Sequence, residues 1–416
     1  MAQPAKDTTT KRQIDFDAIR KDFPVLERTV KGNPLVYLDN AASSQMPRQV
    51  ADRIDYYHRH EHANVHRGIH TLSQEGTDFY EETRKKTRDL INARHGHEII
   101  YTCGTTDSIN LVAQSYGRTF FEEGQKIVVS EIEHHANIVP WQMVAEDTGA
   151  SLAVIPVNDR GELIWEAYLD LLDEDVAMVA IGHVSNALGT VHPVKEVIEE
   201  AHKYDIPVLV DGAQAVPHSP IDVQDLDADF YAFSAHKMCG PTGFGILYGK
   251  EQYLNEMPPY RGGGDMIDKV SFEETTFNKL PHKFEAGTPP IAAGIGFGAA
   301  IDYLTDIGME HIAHHEQELL AYATEQLEVI EGLRIVGTAK DKASVISFVF
   351  DDIHASDIGT ILDQQGIAVR TGHHCAQPTM RRFNIPATAR ASISFYNNRN
   401  DIDRLAEGIK QAKKFF

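Results

Sequence analysis

Several residues able to do chemistry each stand just after a short apolar segment of this chain. Ser234-Ala-His-Lys237 follows the apolar run 228–233. A lysine held there is shielded from bulk water, which lowers its pKa and makes its amine a nucleophile toward an aldehyde. Pro207-Val-Leu-Val-Asp211 ends in a carboxylate and leads into Gly212-Ala-Gln214. An anionic aspartate there can keep a heteroaromatic nitrogen protonated, although such a residue also serves as a helix cap or metal ligand. Cys103-Gly-Thr-Thr106 offers backbone N–H groups, the hydroxyls of Thr105 and Thr106 and a glycine. That is a phosphate cradle, or plain helix capping. Asp107 is awkward beside an anion unless its carboxylate turns away. Glu133-His-His-Ala-Asn137 follows the strand pattern 127–129, and His134 can stack on an aromatic ring and move protons. No CxxC or HExxH spacing accompanies the paired histidines, so no metal is expected.

The chain has three cysteines, too few and too scattered for a disulfide framework. Cys375 lies between Arg370 and Arg381-Arg382, beside His373 and His374, in a segment that reads as an exposed loop. A positive surround favours the reactive thiolate. Cys239 reads as a packing residue beside Lys237, and Cys103 as a small apolar core residue closing a strand.

Apolar strand patterns recur at 99–103, 126–130, 152–157, 177–183, 207–211, 230–234 and 245–248, with helical patterns such as 108–116 and 194–204 between them. Strands apolar on both faces and separated by helices predict an α/β fold with a mostly parallel sheet covered on both sides. Phosphate cradle, His134, Asn186, Asp211 and Lys237 then fall in order at the C-terminal strand ends, where open α/β sheets bind ligands. A second, smaller α+β region follows, with a helix over 309–333, strands near 345–350, 367–370 and 389–394, and a closing helix capped near Asn400. The expected organisation is an N-terminal tail and helix (1–34) packing with the small domain, a large α/β domain (35–294), and a small domain (295–416) carrying the Cys375 loop.

The net charge of −22 speaks against nucleic acid and anionic membrane surfaces. The polar N-terminus lacks the apolar core of a signal peptide, and no apolar run reaches the roughly 18 residues of a membrane span. A reduced, cytoplasmic setting is expected.

From Leu38-Asp-Asn-Ala-Ala42 to Ser394-Phe-Tyr-Asn397, and above all in Arg370-Thr-Gly-His-His-Cys-Ala-Gln-Pro378, the sequence resembles the fold-type I pyridoxal-phosphate enzymes of the class-V aminotransferase group. Within them it is similar to the SufS-like (group II) cysteine desulfurases. The resemblance implies a large, mostly parallel seven-stranded-type sheet domain plus the smaller α+β domain. It implies Lys237 as the Schiff-base lysine, Asp211 as partner of the ring nitrogen, His134 as stacking ring and proton shuttle, and Gln214 as contact of the ring oxygen. Thr105, Thr106, Ser234 and His236 would hold the phosphate, with Thr288 reaching across from the second subunit of a homodimer. Asn186 and Arg390 would hold the substrate carboxylate, and His66 and Arg67 match a segment lining the site. Cys375 would take sulfur from L-cysteine, leaving L-alanine, and pass it to an acceptor of the SufE/SufU type and on to iron–sulfur scaffold machinery. Where the family usually has a basic residue and a Glu, this chain has Cys103 and Asp107. A selenocysteine lyase is the neighbouring enzyme reading, with L-selenocysteine as substrate. A non-catalytic sulfur-transfer scaffold is the alternative of another class.

Overall fold

Seven short runs form one sheet: β1 (Ile99–Thr102), β2 (Lys126–Ser130), β3 (Ser151–Ile155), β4 (Val176–Gly182), β5 (Val208–Asp211), β6 (Phe230–Ser234) and β7 (Gly245–Gly249). This is a computed structural model that describes residues 14–416, so the tail expected over 1–13 lies outside the described residues. Alternate side chains of a strand point to opposite faces. Val128, Val179, Val210 and Phe233 accordingly enter one apolar core, while Val129, Ala180, Leu209 and Ala232 enter another on the opposite face. The strand order is β1-β7-β6-β5-β4-β2-β3. Strands β2 to β6 run parallel, and β7 is antiparallel to both of its neighbours. Parallel neighbours need crossovers, and helices supply them.

Helices α1 (Phe16–Arg20), α2 (Arg48–Tyr56), α3 (Thr71–Leu90), α4 (Thr105–Val112), α5 (Val139–Thr148), α6 (Val194–His202) and α7 (Ile291–Ile307) accompany this sheet. The boundary expected at residue 295 falls inside α7. Ile295, Phe297, Ala300, Ile301 and Leu304 of this helix belong to the first core, because its glycines allow close packing on α3. A Cβ at Gly294 would meet the Tyr80 ring at 2.4 Å, and one at Gly298 would meet Thr83 Oγ1 at 2.4 Å.

A second sheet of β8 (Leu333–Val336), β9 (Val345–Phe350), β10 (Arg370–Gly372) and β11 (Thr388–Ser392) is antiparallel, in the order β8-β9-β11-β10. It builds its own core with α8 (Met309–Glu328), α9 (Ala355–Gln364) and α11 (Arg399–Lys413), while α10 (Gln377–Arg382) follows the Cys375 loop. The cap of α11 is Asn398 rather than Asn400: its side chain accepts from the Asp401 N–H. Helix α1 touches both regions. Phe16 and Ile19 pack on the first core, and Arg20 pairs with Asp401 at 2.7 Å. Among the described residues, no helix is long and apolar enough to cross a membrane.

Candidate active site

The register of the large sheet sets Gly182 beside Asp211, and Asp211 beside Ala232. The ends of β4, β5 and β6 therefore open on one edge. There a cavity of about 210 Å³ is lined by Thr105, Thr106, His134, Asn186, Asp211, Gln214, Ser234, His236 and Lys237, with Arg390 of β11 and Cys375 of the loop after β10 closing it.

Lys237 ends a single 3-10 turn directly after β6. Burial pushes its amine down to about 8, against the pull of Asp211. Asp211 is 8% exposed. Burial raises its carboxyl above the usual range, with Lys237 and the Ala213 N–H (2.9 Å) acting the other way. His134 is pushed down to about 4, chiefly by burial and then by Lys237, so its ring is neutral at physiological pH. Its Nδ1 accepts from the Ala136 N–H at 3.0 Å, which places the ring proton on Nε2.

At the cradle, the N–H of Thr105 donates to Ser234 Oγ at 2.8 Å, and the two hydroxyls meet at 2.7 Å. Gly104 has φ +148°, and a Cβ on Gly245 would come within 2.3 Å of its Cα, so this turn lies tight against β7. Cys103 is exposed, contrary to the expectation of a core residue, because β1 ends at Thr102. Asp107 does turn outward. Its Oδ2 accepts from the Cys103 N–H at 2.9 Å, and its Oδ1 accepts from Tyr260 Oη and an Arg261 N–H, both at 2.6 Å.

Cys375 is exposed between the buried His374 and Ala376, and its loop is anchored. His374 and Cys375 both take the left-handed backbone conformation, with φ 54°. The His135 N–H donates to the Cys375 carbonyl at 2.7 Å, and Asn186 Nδ2 donates to the His374 carbonyl at 2.7 Å. The Gln377 N–H reaches His135 Nε2 at 3.0 Å. Arg390, 2% exposed on β11, donates to the Asn186 carbonyl (2.9 Å) and to Asp39 Oδ1 (3.1 Å). Arg370 Nε also lies 3.2 Å from both Asp39 oxygens, so one carboxylate bridges two arginines.

Three expected site residues lie away from this cavity in the single chain. His66 pairs with Glu81 at 3.1 Å, Arg67 pairs with Asp265 at 2.5 Å, and Thr288 is exposed in its loop. Conversely, Glu133 and His192 line the cavity with no role expected of them, Arg370, expected only as a basic neighbour of Cys375, lines it too, and Asp39 fixes the two arginines. Glu133 accepts from Ser130 Oγ (2.5 Å), the Gly182 N–H (3.0 Å) and Asn137 Nδ2 (2.8 Å), tying β2 to β4. Its only signal in the sequence was its place directly before His134.

Buried polar atoms nearly always have partners. In this wall Gln214 Oε1, Asn186 Oδ1, His192 Nε2, His374 Nδ1 and Arg390 Nε have none. Five such atoms, with a low-pKa lysine and a hydroxyl-lined helix start, fit a polar occupant that carries an anion. Among the described residues, no group of three or more His, Cys, Asp or Glu is placed to hold a metal ion.

The family description "Aminotransferase class-V" matches residues 36–405. The chain belongs to the class-V aminotransferase family. Within that family it is 52% identical over 398 residues to a probable cysteine desulfurase of Halalkalibacterium halodurans, covering 96% of this chain and 98% of that protein. It is also 52% identical over 399 residues to a cysteine desulfurase of Escherichia coli K12 / DH10B, with the same coverage of 96% and 98%. The crystal structure of the cysteine desulfurase CsdA from Escherichia coli superposes with a TM-score of 0.90 at 38% identity, covering 97% of this chain and 100% of that one. The α/β architecture read from the sequence is thus the architecture of the class-V family.

Proposed function

We propose that this protein is a pyridoxal-phosphate-dependent cysteine desulfurase, which moves the sulfur of L-cysteine onto Cys375 and releases L-alanine. The observation that carries this is the meeting, in one cavity, of Lys237 from the parallel sheet and Cys375 from the loop after β10. The relatives named above carry the same activity in their names over nearly their whole length.

The residues present fit the cofactor. Thr105, Thr106, Ser234 and His236 would hold its phosphate, His134 would cover its ring, and Asp211 would face the ring nitrogen. Gln214 would lie beside the ring oxygen: its Nε2 donates to the Ala41 carbonyl at 2.6 Å, and its unpartnered Oε1 can accept from that oxygen in its protonated, hydroxyl form. Bound there, pyridoxal phosphate supplies an aldehyde for the substrate amine and a ring that draws electrons from the substrate carbons.

Arg390 offers its unpartnered Nε to the substrate carboxylate, while Asp39 and the Asn186 carbonyl fix the rest of the guanidinium. Asn186 has already committed its Nδ2 to His374, so it presents an acceptor, and capture of the carboxylate rests on Arg390. Lys237 Nζ, half neutral near pH 8, takes the Cα proton. His134, neutral with its proton on Nε2, donates a hydrogen bond within the site, and it can pass on a proton only after taking one up. The Cys375 sulfur bonds to the substrate sulfur as the bond from that sulfur to the β-carbon breaks. The electron pair stays with carbon, which gains a proton, so cysteine and a thiol become alanine and a persulfide with no outside oxidant.

The persulfide would then pass to an acceptor protein of the SufE/SufU type and supply iron–sulfur cluster assembly, in a reduced cytoplasmic setting that suits three free cysteines. We place Thr288, His66 and Arg67 at the site of a homodimer, in keeping with their positions outside the cavity of one chain. The deciding experiment mixes the purified protein with L-cysteine and a reductant and measures alanine alongside sulfide. Equal yields are expected, and sulfide without alanine, or neither, would refute the assignment.

A further inference from the structure

The acidic residue in the first turn of α4 is the feature the reaction does not use. A helix start carries partial positive charge and unpaired N–H groups, which suit a phosphate, and a carboxylate placed there works against it. Thr105, Thr106, Ser234 and His236 line the main cavity and also a second, more open one of about 640 Å³. The phosphate end is therefore a wall shared by two cavities. Tyr260 and Arg261 stand in the outer one, together with Asp107. The Asp107 side chain is only 14% exposed, so water screens its charge poorly.

We propose that Arg261 cancels the charge of Asp107, and so allows the start of α4 to accept the cofactor's phosphate; Arg261 is a positioning residue for that end of the site. The inference rests on the cofactor reading above. Both carboxylate oxygens are engaged, Oδ2 by the Cys103 N–H at the outer end of the cradle segment and Oδ1 by Tyr260 and Arg261. The guanidinium is steadied over the Tyr260 ring, 4.8 Å from its centroid. The Arg261 side chain is itself 53% exposed, and without it Asp107 keeps the Tyr260 hydroxyl and the Cys103 N–H as partners, so its loss costs the fold little. The effect of removing it should thus fall on the bound anion and not on the stability of the fold.

The test titrates cofactor-free protein with pyridoxal phosphate and, separately, with pyridoxal, following the absorbance of the bound aldehyde at low salt. Arg261→Gln should bind pyridoxal phosphate roughly three- to tenfold more weakly, the size of one partly screened charge interaction, and bind pyridoxal as before. Adding Asp107→Asn to that variant should restore the affinity, with the melting temperature unchanged throughout. Unchanged affinity of Arg261→Gln, an equal loss for pyridoxal, or a double variant as weak as the single would each overturn the inference. Failure of the unaltered protein to bind pyridoxal phosphate would instead overturn the cofactor reading, and this inference with it.

Discussion

The backbone N–H of His135 donates to the carbonyl of Cys375 at 2.7 Å, across 240 residues of chain. One residue earlier, His134 lines the cavity with Lys237. The Cys375 loop is thus fastened to the same short segment that supplies His134. Its anchors are backbone groups, the Asn186 amide and the His135 ring, which leaves the Cys375 side chain exposed while its main chain stays fixed.

Cys375→Ser removes the sulfur but none of these anchors. The variant should keep its cofactor absorbance and its melting temperature and should lose persulfide formation. Labelled sulfur from L-cysteine, followed on the protein by mass spectrometry, is the direct measurement. Label retained on the variant would move the nucleophile to another residue.

Lys237 should react as its lowered pKa dictates. Only the neutral amine attacks an aldehyde, so cofactor attachment to the cofactor-free protein should quicken as pH rises and level off above about 8. An ordinary lysine would still be gaining rate near pH 10. Lys237→Ala should bind the cofactor without the absorbance of a covalent adduct and lose ~10²-fold or more in alanine formation. Covalent absorbance in that variant would remove Lys237 from its role.

Arg390→Lys tests the carboxylate contact. Lysine keeps the charge but cannot hold Asp39 and the Asn186 carbonyl while also offering Nε. Loss of one charge-assisted bond, about 1.5–3 kcal/mol, corresponds to a KM for L-cysteine raised roughly 10- to 100-fold. Steady-state kinetics read this directly, and an unchanged KM would place the carboxylate elsewhere.

Much of this was legible in the sequence, for local reasons. Strands β2 and β4 to β6 are apolar on both faces, a pattern visible without knowing their neighbours. The residues at their ends could be named from the same pattern, since the strand ends share an edge. What escaped depends on distant pairing. Asp39 matters because it meets Arg390, 351 residues away, and nothing in its local sequence says so. Cys103 was placed in the core by extending an apolar strand one residue too far. The boundary expected at 295 cuts α7 in two, because the partners that hold this helix to the first region, α2 and α3, lie more than 200 residues earlier.

Glu133 yields the last prediction. Burial pushes its carboxyl up to about 7, although three donors favour the ionised form. A carboxyl whose folded pKa is raised binds its proton more tightly in the folded state than in the unfolded chain. Its contribution to stability is therefore complete below about pH 4.5, declines through the interval above that, and is gone once pH passes about 7. Within that window the slope approaches ~1.4 kcal/mol per pH unit as an upper limit. Glu133→Gln has no proton to exchange, so its profile lacks this component. The melting temperature of the unaltered protein, relative to that variant, should fall between about pH 5 and about pH 7 and hold steady from there to about pH 8. A constant difference over the whole range would mean that Ser130, Asn137 and the Gly182 N–H keep Glu133 ionised, leaving it as a fixed tie between β2 and β4 with no part in the pH response.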